Sequence, residues 1–112
     1  MKKYIPLPVP ERKITHLKVE VYYTLGGMNY FTYKQEPRGY YLSVTPVERA
    51  ERNGVSMEGF MAFSGIKKLV KPVSRKSEKA FQQAIEMAAA FENGLIRHVC
   101  TENGLPLPEG FA

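Results

Sequence analysis

The chain contains no aspartate and no tryptophan, one cysteine (Cys100) and two histidines (His16 and His98) in 112 residues. Each shortage removes a class of function. A single cysteine forms no internal disulfide. His16 is remote from His98 and Cys100, and no CxxC or HExxH spacing occurs, so no metal site is expected within one chain. On a helix, His98 and Cys100 differ by about 200° and face opposite ways; only a strand would align them. As a nucleophile, Cys100 lacks an orienting aspartate and stands in no nucleophile elbow. The glutamates are scattered, and Gly26, Gly27 and Gly39 are accounted for by turns rather than by a phosphate cradle. The sequence therefore predicts a protein that is not an enzyme and takes no cofactor or metal. No run approaches the roughly 18 apolar residues that span a bilayer. The start MKKYIPLPVP is broken by Pro6, Pro8 and Pro10 where a signal peptide needs an unbroken apolar stretch. The expectation is a cytoplasmic protein with no membrane partner.

What is present describes a folded domain. Hydrophobic residues make up 44%, aromatics 12% and charged residues 24%, a balance that buries a core, and the length suits one domain. Sixteen Lys and Arg against eleven Glu leave a formal net charge of +5, which favours polyanionic partners.

Proline punctuates both ends. Residues 1–13 hold three prolines and read as an extended arm, and residues 104–112, with Leu105-Pro106-Leu107-Pro108, read as a second arm lying on the domain. Between them, 14–103 forms one domain. Leu17, Val19, Val21, Tyr23 and Leu25 alternate with His16, Lys18, Glu20, Tyr22 and Thr24, the period of a half-buried strand. Gly26-Gly27 suits a hairpin turn into a second strand over 28–35. The Glu36-Pro37-Arg38-Gly39 turn leads to a third strand over 40–45 that Pro46 should stop. Residues 47–53 read as a loop and 55–63 as a fourth strand with a bulge at Gly59. Residues 66–73 fit strand and helical turn equally poorly. Ser74 is a plausible N-cap, with the helix itself beginning near Ser77, and Phe81, Ala84, Ile85, Ala88, Phe91 and Leu95 form a helical stripe. That stripe ends at Asn93-Gly94 or runs on to Asn103-Gly104, the alternative being a strand over 95–101. The predicted fold is α+β, an antiparallel meander of about four strands with one C-terminal helix on one face.

Two features point to a ligand. Lys67, Lys68, Lys71, Arg75, Lys76 and Lys79 crowd around one acid, Glu78, at a helix start where the macrodipole disfavours cations. Tyr22, Tyr23, Tyr30, Phe31, Tyr33, Tyr40 and Tyr41 fall on the predicted strands, and alternation sends some to the face away from the helix. Tyr22 and Tyr41 are the expected outward pair, joined by Tyr30, with Lys18, Lys34 and Arg38 near them. Rings interleaved with cations are the means by which proteins hold single-stranded nucleic acid.

The stretch GGMNYFTYKQEPRGYYLSVTPVER, followed by AFSGIKKLV, resembles small uncharacterised proteins of bacterial mobile elements and phages, over residues 26–70. The resemblance implies a bacterial cytoplasm and an accessory role, and it carries no functional residue with it. The sequence thus leads to a small non-enzymatic module that binds nucleic acid non-specifically. The rival reading is a protein-interaction module or homodimer.

Overall fold

A computed structural model of the chain describes residues 1–111 except Arg12, Phe31 and 60–64. Among the described residues seven strands precede one helix. They are β1 (Lys2–Glu11), β2 (Ile14–Thr24), β3 (Gly27–Asn29), β4 (Lys34–Glu36), β5 (Gly39–Arg52), β6 (Val55–Gly59), β7 (Ile66–Pro72) and α1 (Glu78–Asn103). The architecture is α+β, a curled antiparallel sheet of five strands with the C-terminal helix packed against it.

The sheet is organised around β5. One edge of it pairs with β2 from Gly39 to Val47, and the other pairs with β7 over Gly39–Val44 and then with β6 over Glu48–Arg52. Pro46 therefore does not stop the strand, and 47–52 belong to a ladder instead of a loop. Pro46 falls between the β7 and β6 pairings, a place where a missing N–H is tolerated. Residues 66–72 resolve as strand. Gly59 pairs in unbroken register with Glu48, so no bulge lies between it and Val55; the rest of the expected fourth strand, 60–63, lies outside the described residues.

The first hairpin also differs from expectation. β2 pairs directly with β5, and 27–36 form a separate two-stranded hairpin, β3–β4, off the main sheet. The expected extended N-terminal arm is itself a strand of the sheet, because β1 pairs with β2 at the sheet's edge. The Val21 N–H donates to the Met1 carbonyl at 2.9 Å, so odd-numbered residues of β1 face the ladder up to Ile5. Pro6, opposite His16, then turns its nitrogen outward, where an edge strand loses no bond to it. The other expected arm folds back onto the domain, with Leu105 and Pro108 buried and Leu107 and Phe111 against the core.

The alternation of β2 holds. Leu17, Val19 and Val21 are buried with Leu42 and Val44 of β5 under α1. The helix begins after Ser77, not Ser74; the Ser77 Oγ accepts from the Ala80 N–H at 3.0 Å. Arg75 and Lys76 consequently precede the helix rather than occupying its first turn. The helix runs past Asn93-Gly94 to Gly104, whose left-handed φ of 64° closes it. Its buried stripe is Ala80, Ala84, Ala88, Ile96, Val99 and Cys100. Phe81, Ile85 and Leu95 flank this stripe half-buried, and Phe91 is exposed. The alanines, with no side chain beyond Cβ, let the helix lie close to the sheet.

Candidate functional site

Strand alternation scatters the basic run. Lys67 projects from β7 on the face away from α1, where it pairs with Glu36 at 2.5 Å and lies 5.5 Å from the Tyr41 ring centroid. Its ammonium, with the Asn29 amide, holds the Glu36 carboxyl below the usual carboxylate range. Lys68 turns the other way, 4.7 Å from the ring of Phe91 on the helix. Lys71 lies opposite Tyr40 beside a register shift in β7 and is partly buried. Arg75, Lys76 and Lys79 are exposed. The expected phosphate grip at Lys67 and Lys68 is thus divided between two faces, with Lys67 engaged by an acid.

The tyrosines divide as well. Tyr22 and Tyr41 do share the face away from the helix and stack at 6.1 Å with 22° between planes. Tyr41, however, is only 4% exposed, and its hydroxyl donates to the Pro37 carbonyl at 2.6 Å. It is a packed ring, not a stacking platform. Burial also pushes the phenols of Tyr22 and Tyr41 above their ordinary pKa. Tyr40 ties the helix start to the sheet, its hydroxyl donating to the Ser77 carbonyl at 3.3 Å.

The free rings are on the β3–β4 hairpin. Tyr30 is 78% and Tyr33 81% exposed, accompanied by exposed Leu25 and Met28. Asn29 builds the loop. Its carbonyl accepts from the Tyr33 N–H at 2.7 Å, its Oδ1 from the Thr32 N–H at 3.3 Å, and its Nδ2 donates to Glu36 at 2.8 Å. Tyr33 adopts φ 56°, a left-handed conformation that glycine fills without strain. A large ring at such a position, almost wholly in water, serves neither the turn nor the core.

Arg38 joins this hairpin to the basic segment. Its Nε donates to the Leu25 carbonyl at 3.1 Å and its Nη1 to the Ser74 carbonyl at 3.2 Å. Because Gly39 pairs with Pro72 and Tyr40 with Lys71, the hairpin base, Lys71, Arg75 and Lys76 meet at one end of the sheet. The sequence reading names Tyr33 and Arg38 on the meander but counts neither among the site residues. Residues 28–35 read as a strand of the meander, and only the direct pairing of β2 with β5 leaves Tyr30 and Tyr33 outside the main sheet.

A second cluster is structural. Glu58 accepts from Lys18 Nζ and from the Tyr4 hydroxyl, each at 2.7 Å, and both bonds lower its carboxyl's pKa. The Arg49 guanidinium lies 3.9 Å from the Tyr4 centroid. His16, bonded to Thr15 through Nδ1 at 2.7 Å, has its pKa lowered by burial and by Arg49. The sign follows. Below about pH 6.5 the unfolded chain gains a proton at His16 that the folded chain resists, so stability falls as the solution is acidified. Urea midpoints measured from pH 7 to 5 should decline, and His16→Gln should remove most of that slope. An unchanged slope would locate the effect elsewhere.

Among the described residues no group of three or more His, Cys, Asp or Glu is placed to hold a metal ion, and no helix is long and apolar enough to cross a membrane. His98 is exposed and Cys100 buried, on opposite sides of α1. Comparison with protein-family models, curated proteins and solved structures finds no match to the chain.

Proposed function

We propose that this domain is a non-enzymatic module that binds single-stranded nucleic acid without sequence preference, at the end of the sheet where the β3–β4 hairpin leaves it. The observation that carries the reading is the juxtaposition made by Arg38: exposed Tyr30 and Tyr33 on one side, Lys71, Arg75 and Lys76 on the other. Rings supply stacking that any base satisfies, and cations supply the phosphate grip. Tyr33 takes the role expected of Tyr41, and Lys68 drops out. The resemblance to proteins of bacterial mobile elements makes the bacterial cytoplasm the setting we infer.

Titration of a fluorescent single-stranded oligonucleotide against salt tests the proposal. Affinity should fall with a log-log slope of about −0.7 per phosphate neutralised. Changing Lys71, Arg75 and Lys76 together to Ala should flatten the slope and weaken all sequences alike. Tyr33→Gly should cost about 1 to 3 kcal/mol of binding, leave the slope in place, and leave the folded chain at least as stable, since glycine suits the left-handed turn. No binding at tens of micromolar protein in low salt, roughly the ordinary range of non-specific affinity, would end this reading. Exposed Leu25 and Met28 on the same hairpin would then favour a protein partner or a second copy, visible as a concentration-dependent mass in sedimentation.

A further inference from the structure

We infer that the groove at the start of α1 is a nucleobase pocket, taking one base of the bound strand while its phosphate remains at the rim; the inference rests on the single-strand reading above. The groove is an open depression of about 500 Å³ between the end of β2 and the helix, within the size range of small-ligand sites. Its walls are aromatic. Tyr40 and Phe81 stack at 5.8 Å with 24° between planes, and Tyr23 meets Tyr40 edge-on at 5.3 Å. Tyr40 is itself only 4% exposed, so it backs the groove, and the ring surface open to a flat heteroaromatic guest is that of half-buried Tyr23 and Phe81.

The charges sort the two halves of a nucleotide. Lys76 lies over Tyr23 with Nζ 5.7 Å from the ring centroid. Glu78 also lines the groove and is hydrogen-bonded to Gln82 along the helix at 3.0 Å. A carboxylate there repels a phosphate and accepts from an exocyclic amine, so the base enters and the anion stays with Lys76. The pocket is continuous with the proposed interface, because the Tyr23 hydroxyl and Arg38 donate to the same Ser74 carbonyl, at 3.2 Å each.

The test is an amide NMR titration of the full chain with adenosine monophosphate, ribose 5-phosphate and inorganic phosphate. The adenylate alone should shift Tyr23, Ser77 and Phe81. Tyr23→Ile should weaken it about 5- to 150-fold, the range of one stacking contact. Lys76→Ala, an exposed change that spares the fold, should weaken it severalfold. Arg97→Ala, an exposed change far along α1, should leave it unchanged. Equal shifts from all three probes, or adenylate shifts confined to the hairpin, would overturn the pocket even if oligonucleotides bind. Adenylate shifts in the groove without any oligonucleotide binding would keep the pocket and overturn the single-strand reading.

Discussion

Replacing Ile96 with alanine should destabilise the chain by about 2 to 5 kcal/mol, the cost of a cavity under a helix whose neighbours only partly relax into it. Ile96 is fully buried in the cluster of Leu17, Val19, Leu42, Val44 and Val99, so truncation removes contacts that no water replaces. The periodicity alone assigns such losses to Phe81 and Ile85. Both are half-buried at the margin of the helix interface, and their alanine variants should lose less. Ile96→Val should cost about 0.5 to 1.5 kcal/mol and Gln82→Ala, on the exposed face, within about 0.5 kcal/mol. Urea unfolding with a common slope ranks the variants. Equal losses at Ile96 and Gln82 would show that the helix does not cover the core.

Gly39→Ala should cost about 2 to 6 kcal/mol, through two additive causes. Gly39 has φ 153°, which L side chains rarely adopt, and such strain costs about 1 to 3 kcal/mol. An added Cβ would also strike the Lys71 carbonyl oxygen and approach the Pro72 Cα to 2.8 Å. Those are backbone atoms in the β5–β7 ladder, so relief requires moving a strand, a further 1 to 3 kcal/mol or so. Gly54→Ala is the control. Its φ is 78° but its Cβ would meet nothing within 4 Å, leaving only the dihedral cost of about 1 kcal/mol. Similar losses at both glycines would refute the close approach of β7. Because Gly39 sits where the hairpin returns to the sheet, Gly39→Ala should also weaken oligonucleotide binding under the proposed function.

Local chemistry was enough to read much of this fold. The alternation from Leu17 to Tyr23 defines the buried face of β2, since a pleated strand sends successive side chains to opposite sides whatever its partner. Gly104 ends the helix because its backbone reaches the left-handed cap without a Cβ penalty. The separation of His98 from Cys100 on a helix follows from the same local rules.

Strand partnership is a different kind of quantity, because it depends on which distant backbone satisfies each N–H and carbonyl. Nothing near Pro46 reveals that β5 exchanges one neighbour for another there and so tolerates a proline in mid-strand. Nothing near Pro6 reveals that it lies on an edge. Tyr41 points away from the helix as alternation requires, yet Tyr22, Lys67 and Pro37 close over it, and those residues come from three separate segments. For the same reason Lys67 meets an acid while Lys68 meets a ring, and the exposed tyrosines reach the basic segment only through Arg38. The sequence by itself determined the buried face of β2 and offered two stops for the helix, Asn93-Gly94 and Asn103-Gly104, since these are properties of one side chain or one turn. Only the tertiary structure decided which charges are neutralised and which rings remain in water, because both depend on long-range pairing.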